Sequence, residues 1–593
     1  MAPPIKPSYD YIIVGAGSGG LVLASRLSED AHHNILLLEA GPNRMGSPEV
    51  ETPGPAVALY GDPRVDWDYL SVPQVHANNR QLGQPRGRIV GGTSAINFSV
   101  IMYPSRADFA AWQSLGNQGW GPDSMAPYLR KFQAFTPPRH ATTNSCLKPE
   151  NQGTDGPIPV TMSDQYTEMN KAWDETFAKC GWYNEDDPIN GKKLGAFLAP
   201  VSVDASTGRR GYAAAYYSPS VAKRPNLQLL PNAMVCRVLF TSELNGTVRA
   251  TGVEIDTGDG EIRTVAASRE VILCAGSLGS PLLLERSGIG SQELLQRQQI
   301  PVVINRPGVG ENLQDHCLSV STLELAESYS SVLAPGTPMS TACLPPVDSH
   351  GLLSREEVEG LLDQHLSHPA GGSQEALSLG LEKQHALQKQ MLLDCEHPSS
   401  QYILMPLGIH TQPCINTILD VLSPSLTQTS KQKSISILTL LNHPFSRGSV
   451  HIQSTNYNDR PVYDPNYLSQ TLDLEILARH TRFLHHLTKI TPLASILKGA
   501  CVTGEDSAEQ PHDIERTKEM VRNHLFHCFH PVGTCAMMAS ELGGVVDPQL
   551  RVYGTSNLRV VDASIFPLLP VGNIVAVIYA VAERAADIIR GQC

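Results

Sequence analysis

The sequence predicts an α/β protein whose leading unit is a Rossmann-like dinucleotide-binding fold. Three observations predict it. A short apolar run, Tyr11 to Val14, breaks into Gly15, Gly17 and Gly20 and continues as an apolar helical pattern. A second strand pattern, Asn34 to Leu38, ends in Glu39, nineteen residues after Gly20. At 593 residues the chain is too long for one core, so it divides into two or more domains.

Each part of the opening has a physical reason. In the Gly-x-Gly-x-x-Gly spacing, the first glycine makes the tight turn, the second lets backbone approach a pyrophosphate, and the third packs helix on strand. Ser18, between the glycines, belongs to the same phosphate-facing loop, where free amides and the positive end of the helix favour anions. Glu39 stands where a carboxylate accepts hydrogen bonds from ribose hydroxyls. Strand, helix, strand and acid in register distinguish this from an ordinary glycine turn.

A second glycine-rich run follows, Pro85 to Asn97. Gly91 and Gly92 permit close backbone approach, Thr93, Ser94 and Asn97 supply donors, and Arg88 supplies a cation. The run suits either a second contact with a polyanionic ligand or a loop before an ordinary capped helix. Helical patterns around Trp112–Phe132 and Met169–Cys180 form a separate layer. Strand patterns return at Leu227–Phe240 and Gly252–Ile255, and Glu270–Gly276 repeats the strand-to-glycine form. A helix is expected from Ser280–Pro281 to Gly288. Ser354 with Glu357 reads as a capping box, with Val358, Leu361, Leu362 and Leu366 on one helical face, and a further helix is expected over 374–393. Both helices read as a lid or surface excursion.

Composition excludes some functions. A net charge of −13 argues against a nucleic-acid or anionic-membrane partner. The 12 cysteines are scattered without a Cys-x-x-Cys pair, so neither a zinc site nor a disulfide framework is expected. No stretch reaches the length of a transmembrane span, and the first strand begins within about eight residues of the start, leaving no room for a signal peptide. The reading is a soluble, cytoplasmic protein.

Four features stand in order: the fingerprint, Gly91-Gly-Thr-Ser-Ala-Ile-Asn97, the segment Gly276–Gly290, and Cys528-Phe-His-Pro-Val-Gly-Thr-Cys-Ala-Met537. On these the chain resembles the glucose-methanol-choline (GMC) oxidoreductase family along nearly its full length. The resemblance implies flavin adenine dinucleotide (FAD) and a discontinuous FAD-binding domain over residues 6–104, 225–320 and 525–593. Residues 105–224 and 321–524 would form a substrate-binding α+β domain, a β-sheet flanked by helices. It also implies cofactor contacts: Glu39 on a ribose, the Val235 backbone on adenine, Gly91, Gly92 and Asn97 on the pyrophosphate and flavin, and Asp562 with Ala563 on the ribityl side. Some members tether FAD through a histidine just before the motif asparagine. Here that residue is Ile96, so FAD is expected to be non-covalent.

His530 falls on the family's catalytic histidine. Alcohol oxidation removes a hydroxyl proton while the α-carbon delivers hydride to flavin N5, and imidazole accepts protons near neutral pH. The family's second catalytic position falls on Asn573 in one alignment and on Val575 in another. Valine cannot hydrogen-bond, which favours Asn573, unless Asn573 only caps the helix that runs to Ile589. The implied reaction is oxidation of the CH–OH group of a small organic alcohol, bulky or aromatic as in secondary metabolism, with molecular oxygen or another electron acceptor and no metal. The alternative is a flavin-containing lyase on the same fold, of the hydroxynitrile lyase or photodecarboxylase type.

Overall fold

The protein is described by a computed structural model covering residues 5–53, 58–138, 146–163, 165–244, 246–329, 339–366, 375–409, 411, 415–416, 434–498 and 513–592. The opening strand, Ser8–Val14, lies inside a seven-stranded sheet. It runs parallel to Ile35–Leu38 on one side and to Ile262–Leu273 on the other, and Leu227–Leu230 lies parallel beyond Ile35–Leu38. Ile12, Ile13, Leu36, Leu37 and Leu38 are fully buried, as expected where both faces of a parallel sheet are covered.

Ile262–Leu273 is the strand that several parts of the chain share. Its first half pairs antiparallel with Val248–Asp256, which continues to Met234–Ser242. Its last three residues pair in parallel with Leu558–Val560. The register therefore aligns Val14 with Leu38 and Leu273, and Leu273 with Val560. Four strands end at one edge, and the turns that follow them converge there, where open α/β sheets bind ligands.

A second, six-stranded sheet is antiparallel throughout. Its order is Leu525–His527, Cys317–Glu324, Ser434–Leu441, Ser400–Met405, Met339–Leu344 and Gly195–Ala199. The helix Thr471–Leu487 packs on one face. The other face turns toward the first sheet.

Several sequence expectations shift. The helix expected from Ser280 begins at Gly276 and encloses Pro281. Proline cannot donate to the carbonyl four residues back, that of Ser277; the Thr534 hydroxyl donates to that carbonyl instead. The Trp112–Phe132 pattern divides into two helices, Arg106–Ser114 and Pro122–Lys131. The capping box at Ser354 and Glu357 is present, and its helix packs on Thr471–Leu487. The other expected helix, Glu375–Leu392, places Gln384 and Gln388 against the Arg447 guanidinium, and Gly380 against the Leu542 carbonyl. Among the described residues no helix is long and apolar enough to cross a membrane.

At Gly20 a β-carbon would run into the carbonyl oxygen of Gly15. Gly20→Ala is therefore expected to destabilise the protein by roughly 1–3 kcal/mol. It should also release FAD during purification, seen as a lower flavin-to-protein absorbance ratio and an earlier thermal transition.

Candidate functional site

A cavity of about 490 Å³ lies between the converging strand ends and the open face of the second sheet. Gly15, Gly17, Ser18, Glu39 and Val235 line one end, and His530, Phe529 and Asn573 the other. Gly15 has φ +102°, a left-handed conformation that only glycine adopts cheaply. A β-carbon on Gly92 would come within 2.8 Å of the Gly17 Cα. The two glycine-rich loops are thus backbone against backbone.

At the nucleotide end, the buried Glu39 carboxylate accepts from the N–H of Ala16 (3.0 Å) and of Gly41 (2.8 Å). Burial pushes its pKa up to about 7, opposed by those N–H groups and by the Arg88 guanidinium. Arg88 lies over the Trp67 ring at 5.1 Å, on the cavity wall. The Glu39 backbone carbonyl accepts from Ala233 N–H at 2.8 Å, which sets Val235 beside it. Gly91 donates its N–H to the Ala16 carbonyl (2.8 Å). Ser94 donates its hydroxyl to the Gly91 carbonyl (2.6 Å) and accepts from Ala213 N–H (3.1 Å). These groups hold the second loop onto the fingerprint. Gly20 and Gly91 stand behind the cavity wall; the other sequence-selected residues line it.

The Asn97 side-chain oxygen accepts from Arg210 (2.8 Å) and from Ser99 N–H (2.9 Å), so its NH₂ is the part available to a ligand. Asp562 is buried and accepts from Gly276 N–H (2.9 Å), the Ser280 hydroxyl (2.6 Å) and Ser564 N–H (2.8 Å). It ties the C-terminal segment to the start of the Gly276 helix, with Ala563 on the cavity wall.

At the other end, Phe529 adopts φ +61°, a costly conformation for an aromatic residue. Two contacts hold it. Arg86 donates to the Phe529 carbonyl at 2.6 Å, and the next residue, His530, gives its backbone N–H to Asp315 at 2.8 Å. Asp315 also accepts from Gln84 (2.9 Å) and Tyr467 (2.8 Å), and burial raises its pKa to about 6. The His530 ring sits between two partners: its Nδ1 is 2.9 Å from His316 Nδ1 and its Nε2 is 3.2 Å from Asn573 Nδ2. Burial, with the fields of His316, Arg86 and His527, holds the His530 pKa well below that of free imidazole. His527 is likewise lowered to about 3 by burial, so its 3.4 Å approach to Asp315 is not an ion pair.

The C-terminal helix runs Val575–Ile589 with Ile574 as N-cap and no side-chain cap. The capping alternative for Asn573 therefore fails. Its amide faces His530, and Val575, the other alignment, offers no polar atom.

Leu318, Val320, Leu438, Ile403 and Met405 line the cavity from the second sheet, joined by Phe98, Phe526 and Phe529. This wall is apolar apart from Thr341, Gln401 and His527. Gln401 donates its NH₂ to the Thr341 hydroxyl at 2.9 Å, and that hydroxyl donates to the Tyr402 carbonyl at 2.8 Å. The Thr341 proton is committed, so it must accept from Gln401, which fixes the amide orientation. Gln401 Oε1 is left buried without a partner. No residue of the helices Arg355–His365 and Glu375–Leu392 lines the cavity.

Sequence reasoning missed Arg86, Arg210, Asp315 and His316. The last two lie in Asn312-Leu-Gln-Asp-His316, whose polarity after Gly310 was the available signal. It also missed Asp108, His397 and His443, whose ligand-type atoms lie within 4.8 Å of one another. Asp108 is already engaged by His443 (2.8 Å), Ser105 N–H (2.6 Å) and Val571 N–H (3.2 Å), and the buried Lys193 ammonium adds a positive field. This cluster is a support for the Val571–Asn573 loop.

The residues present fit FAD. Two glycine loops meet at aligned strand ends, a buried carboxylate stands beside the second strand, and an open trough leads from there to His530. The GMC oxidoreductase sequence profiles match residues 9–318 and 444–582. Dehydrogenase citC of Monascus ruber is 33% identical over 99% of this chain and 97% of its own. Among solved structures, an FAD-dependent oxidoreductase from Chaetomium thermophilum superimposes with TM-score 0.86 at 27% identity, covering 98% of this chain and 99% of its own. A fungal aryl-alcohol oxidase does so with TM-score 0.81 at 26% identity, covering 99% and 100%.

Glu39→Ala leaves the Ala16 and Gly41 N–H groups without their buried acceptor, at roughly 1–3 kcal/mol. FAD affinity is expected to fall at least tenfold, read by flavin fluorescence on titrating the apoprotein.

Proposed function

Because the chain belongs to the GMC oxidoreductase family and is an FAD-dependent oxidoreductase, we propose that it oxidises the CH–OH group of a neutral, bulky alcohol, with His530 as base. The observation that carries this reading is a buried imidazole whose Nε2 stands 3.2 Å from the Asn573 amide on the wall of the cavity. FAD, when bound, supplies the acceptor for the hydride that leaves the alcohol carbon. His530 Nε2 takes the hydroxyl proton. Asn573 has two amide hydrogens, so it can orient the imidazole with one and hold the substrate oxygen with the other. Burial keeps the imidazole uncharged and thus able to accept.

The apolar wall supports a bulky or aromatic alcohol over a sugar, whose hydroxyls would lose water without replacement. Gln401 Oε1 supports a hydrogen-bond donor on that alcohol. Its strand lies three strand spacings, about 14 Å, across the sheet from Leu525–His527, so the donor belongs on the end remote from the carbinol. The names of the aryl-alcohol oxidase and of the dehydrogenase agree with this class of chemistry and lend nothing to a lyase. The buried Ile96 offers no nucleophile to the flavin, which supports non-covalent FAD, reoxidised by molecular oxygen or another acceptor.

Anaerobic mixing of the yellow holoprotein with aryl alcohols tests the reading: flavin bleaching is expected, and colour that persists with every primary and secondary alcohol would count against it. His530→Ala is expected to slow the limiting rate of bleaching by about 10²–10⁴, and Asn573→Ala by about tenfold to a hundredfold, with FAD retained in both. A base is active when deprotonated, and a pKa far below 6.5 leaves His530 deprotonated throughout pH 6.5–8. The limiting rate is therefore expected to stay flat across that window in stopped-flow measurements.

A further inference from the structure

We propose that His316 is a positioning residue that fixes which nitrogen of His530 is free to take a proton. It lies at the end of Asn312–His316, next to Asp315, which holds the His530 backbone. The assignment of the proton is independent of the reading of His530 as a base, and its catalytic consequence rests on that reading.

The logic begins at a group that can only accept. His316 Nε2 lies 3.0 Å from the Asn442 backbone carbonyl. That peptide is anchored: the Asn442 N–H donates to the Ser399 carbonyl at 3.0 Å and its side chain donates to the Pro398 carbonyl at 3.1 Å. A carbonyl oxygen has no proton to give, so His316 carries its hydrogen on Nε2. His316 is fully buried, and burial takes its pKa down to about 3 against the pull of the Asn442 and Pro570 backbone carbonyls, of which Asn442 is the one in hydrogen-bonding geometry with a ring nitrogen, so the ring is neutral and holds a single N–H. Its Nδ1 is consequently a bare lone pair.

That lone pair faces His530 Nδ1 at 2.9 Å, with the two rings nearly perpendicular at 84°. Two bare nitrogens cannot meet at that distance in a buried site without repulsion, so His530 carries its hydrogen on Nδ1 and donates it to His316. His530 is neutral as well, which leaves Nε2 bare. Nε2 is the nitrogen beside the Asn573 amide, which can only donate to it. The order is therefore fixed from one end to the other: Asn442 carbonyl, His316 N–H, His316 lone pair, His530 N–H, His530 lone pair, Asn573 N–H. The opposite tautomer of His530 would force His316 to turn its lone pair onto the Asn442 carbonyl. An imidazole performs here the orienting task for which a carboxylate is the usual choice, and it does so without bringing a negative charge that would raise the basicity of His530.

Two measurements test this. In holoprotein labelled with ¹⁵N at histidine, the His530 signals are identified by their loss in His530→Gln. The expected result is a protonated Nδ1 and an unprotonated Nε2; the reverse assignment would overturn the proposal whether or not His530 is the base. The second measurement compares His316→Leu with His316→Asn, since the Asn oxygen can stand where Nδ1 stood and accept the same hydrogen. His316→Leu is expected to lower the limiting rate of flavin reduction by about 10²–10⁴, the scale of a misplaced tautomer, with little change in the dissociation constant for the alcohol. His316→Asn should recover the rate to within about tenfold of the parent. Equal losses in the two variants, or an undiminished rate in His316→Leu, would reject the positioning role. If His530→Ala itself leaves reduction unchanged, the alcohol-oxidation reading fails at its base, and the ¹⁵N result still decides the tautomer.

Discussion

A neutral imidazole buried without a counter-ion is the constraint on which the chemistry end of this structure depends. His530 is 8% exposed, and its neighbours in space are a second buried histidine, an amide and a backbone carboxylate contact. A charged ring there would lack compensation, so the surroundings are arranged to supply orientation in place of charge. Asp315 takes the backbone N–H of His530, and Arg86 takes the carbonyl before it. Between them they hold Phe529 in a conformation that an isolated chain would abandon.

The nucleotide end depends on a different economy, the removal of side chains. Gly17 and Gly92 touch through their backbones, and Gly19 could not carry a β-carbon against the Val561 carbonyl. The loops that follow four aligned strands can then share one edge of the sheet. Asp562 joins two of these segments, binding Gly276 and Ser280 from 282 or more positions away in the chain. The two ends of the cavity are consequently built on one frame, with the loop Val571–Asn573 held from behind by Asp108.

Legibility followed the range of the interactions. The fingerprint, Glu39, the second glycine loop and the capping box at Ser354 are local patterns of residues close together in sequence, so their spacing is visible there. The early start of the Gly276 helix could not, because it depends on Thr534 satisfying a carbonyl that Pro281 leaves unmatched. Residues 320–400 look like an excursion in sequence because their strands pair with segments far away, Cys317–Glu324 with Ser434–Leu441 and Ser400–Met405 with Met339–Leu344. Their cavity-facing side chains are ordinary apolar residues, and only the pleat of the assembled sheet shows which of them face a substrate.

By itself the sequence determined the family and the dinucleotide cofactor, and it nominated His530 with Asn573 as candidates, since motif spacing carries that information within a few residues. Tertiary structure decided whether Asn573 caps a helix or addresses the imidazole, because the helix start falls at Val575 only once the chain packs. It also decided which nitrogen of His530 is free. A tautomer has no signature in sequence; it is set by the carbonyl of Asn442 acting through His316, groups brought within 3.0 Å only by the fold.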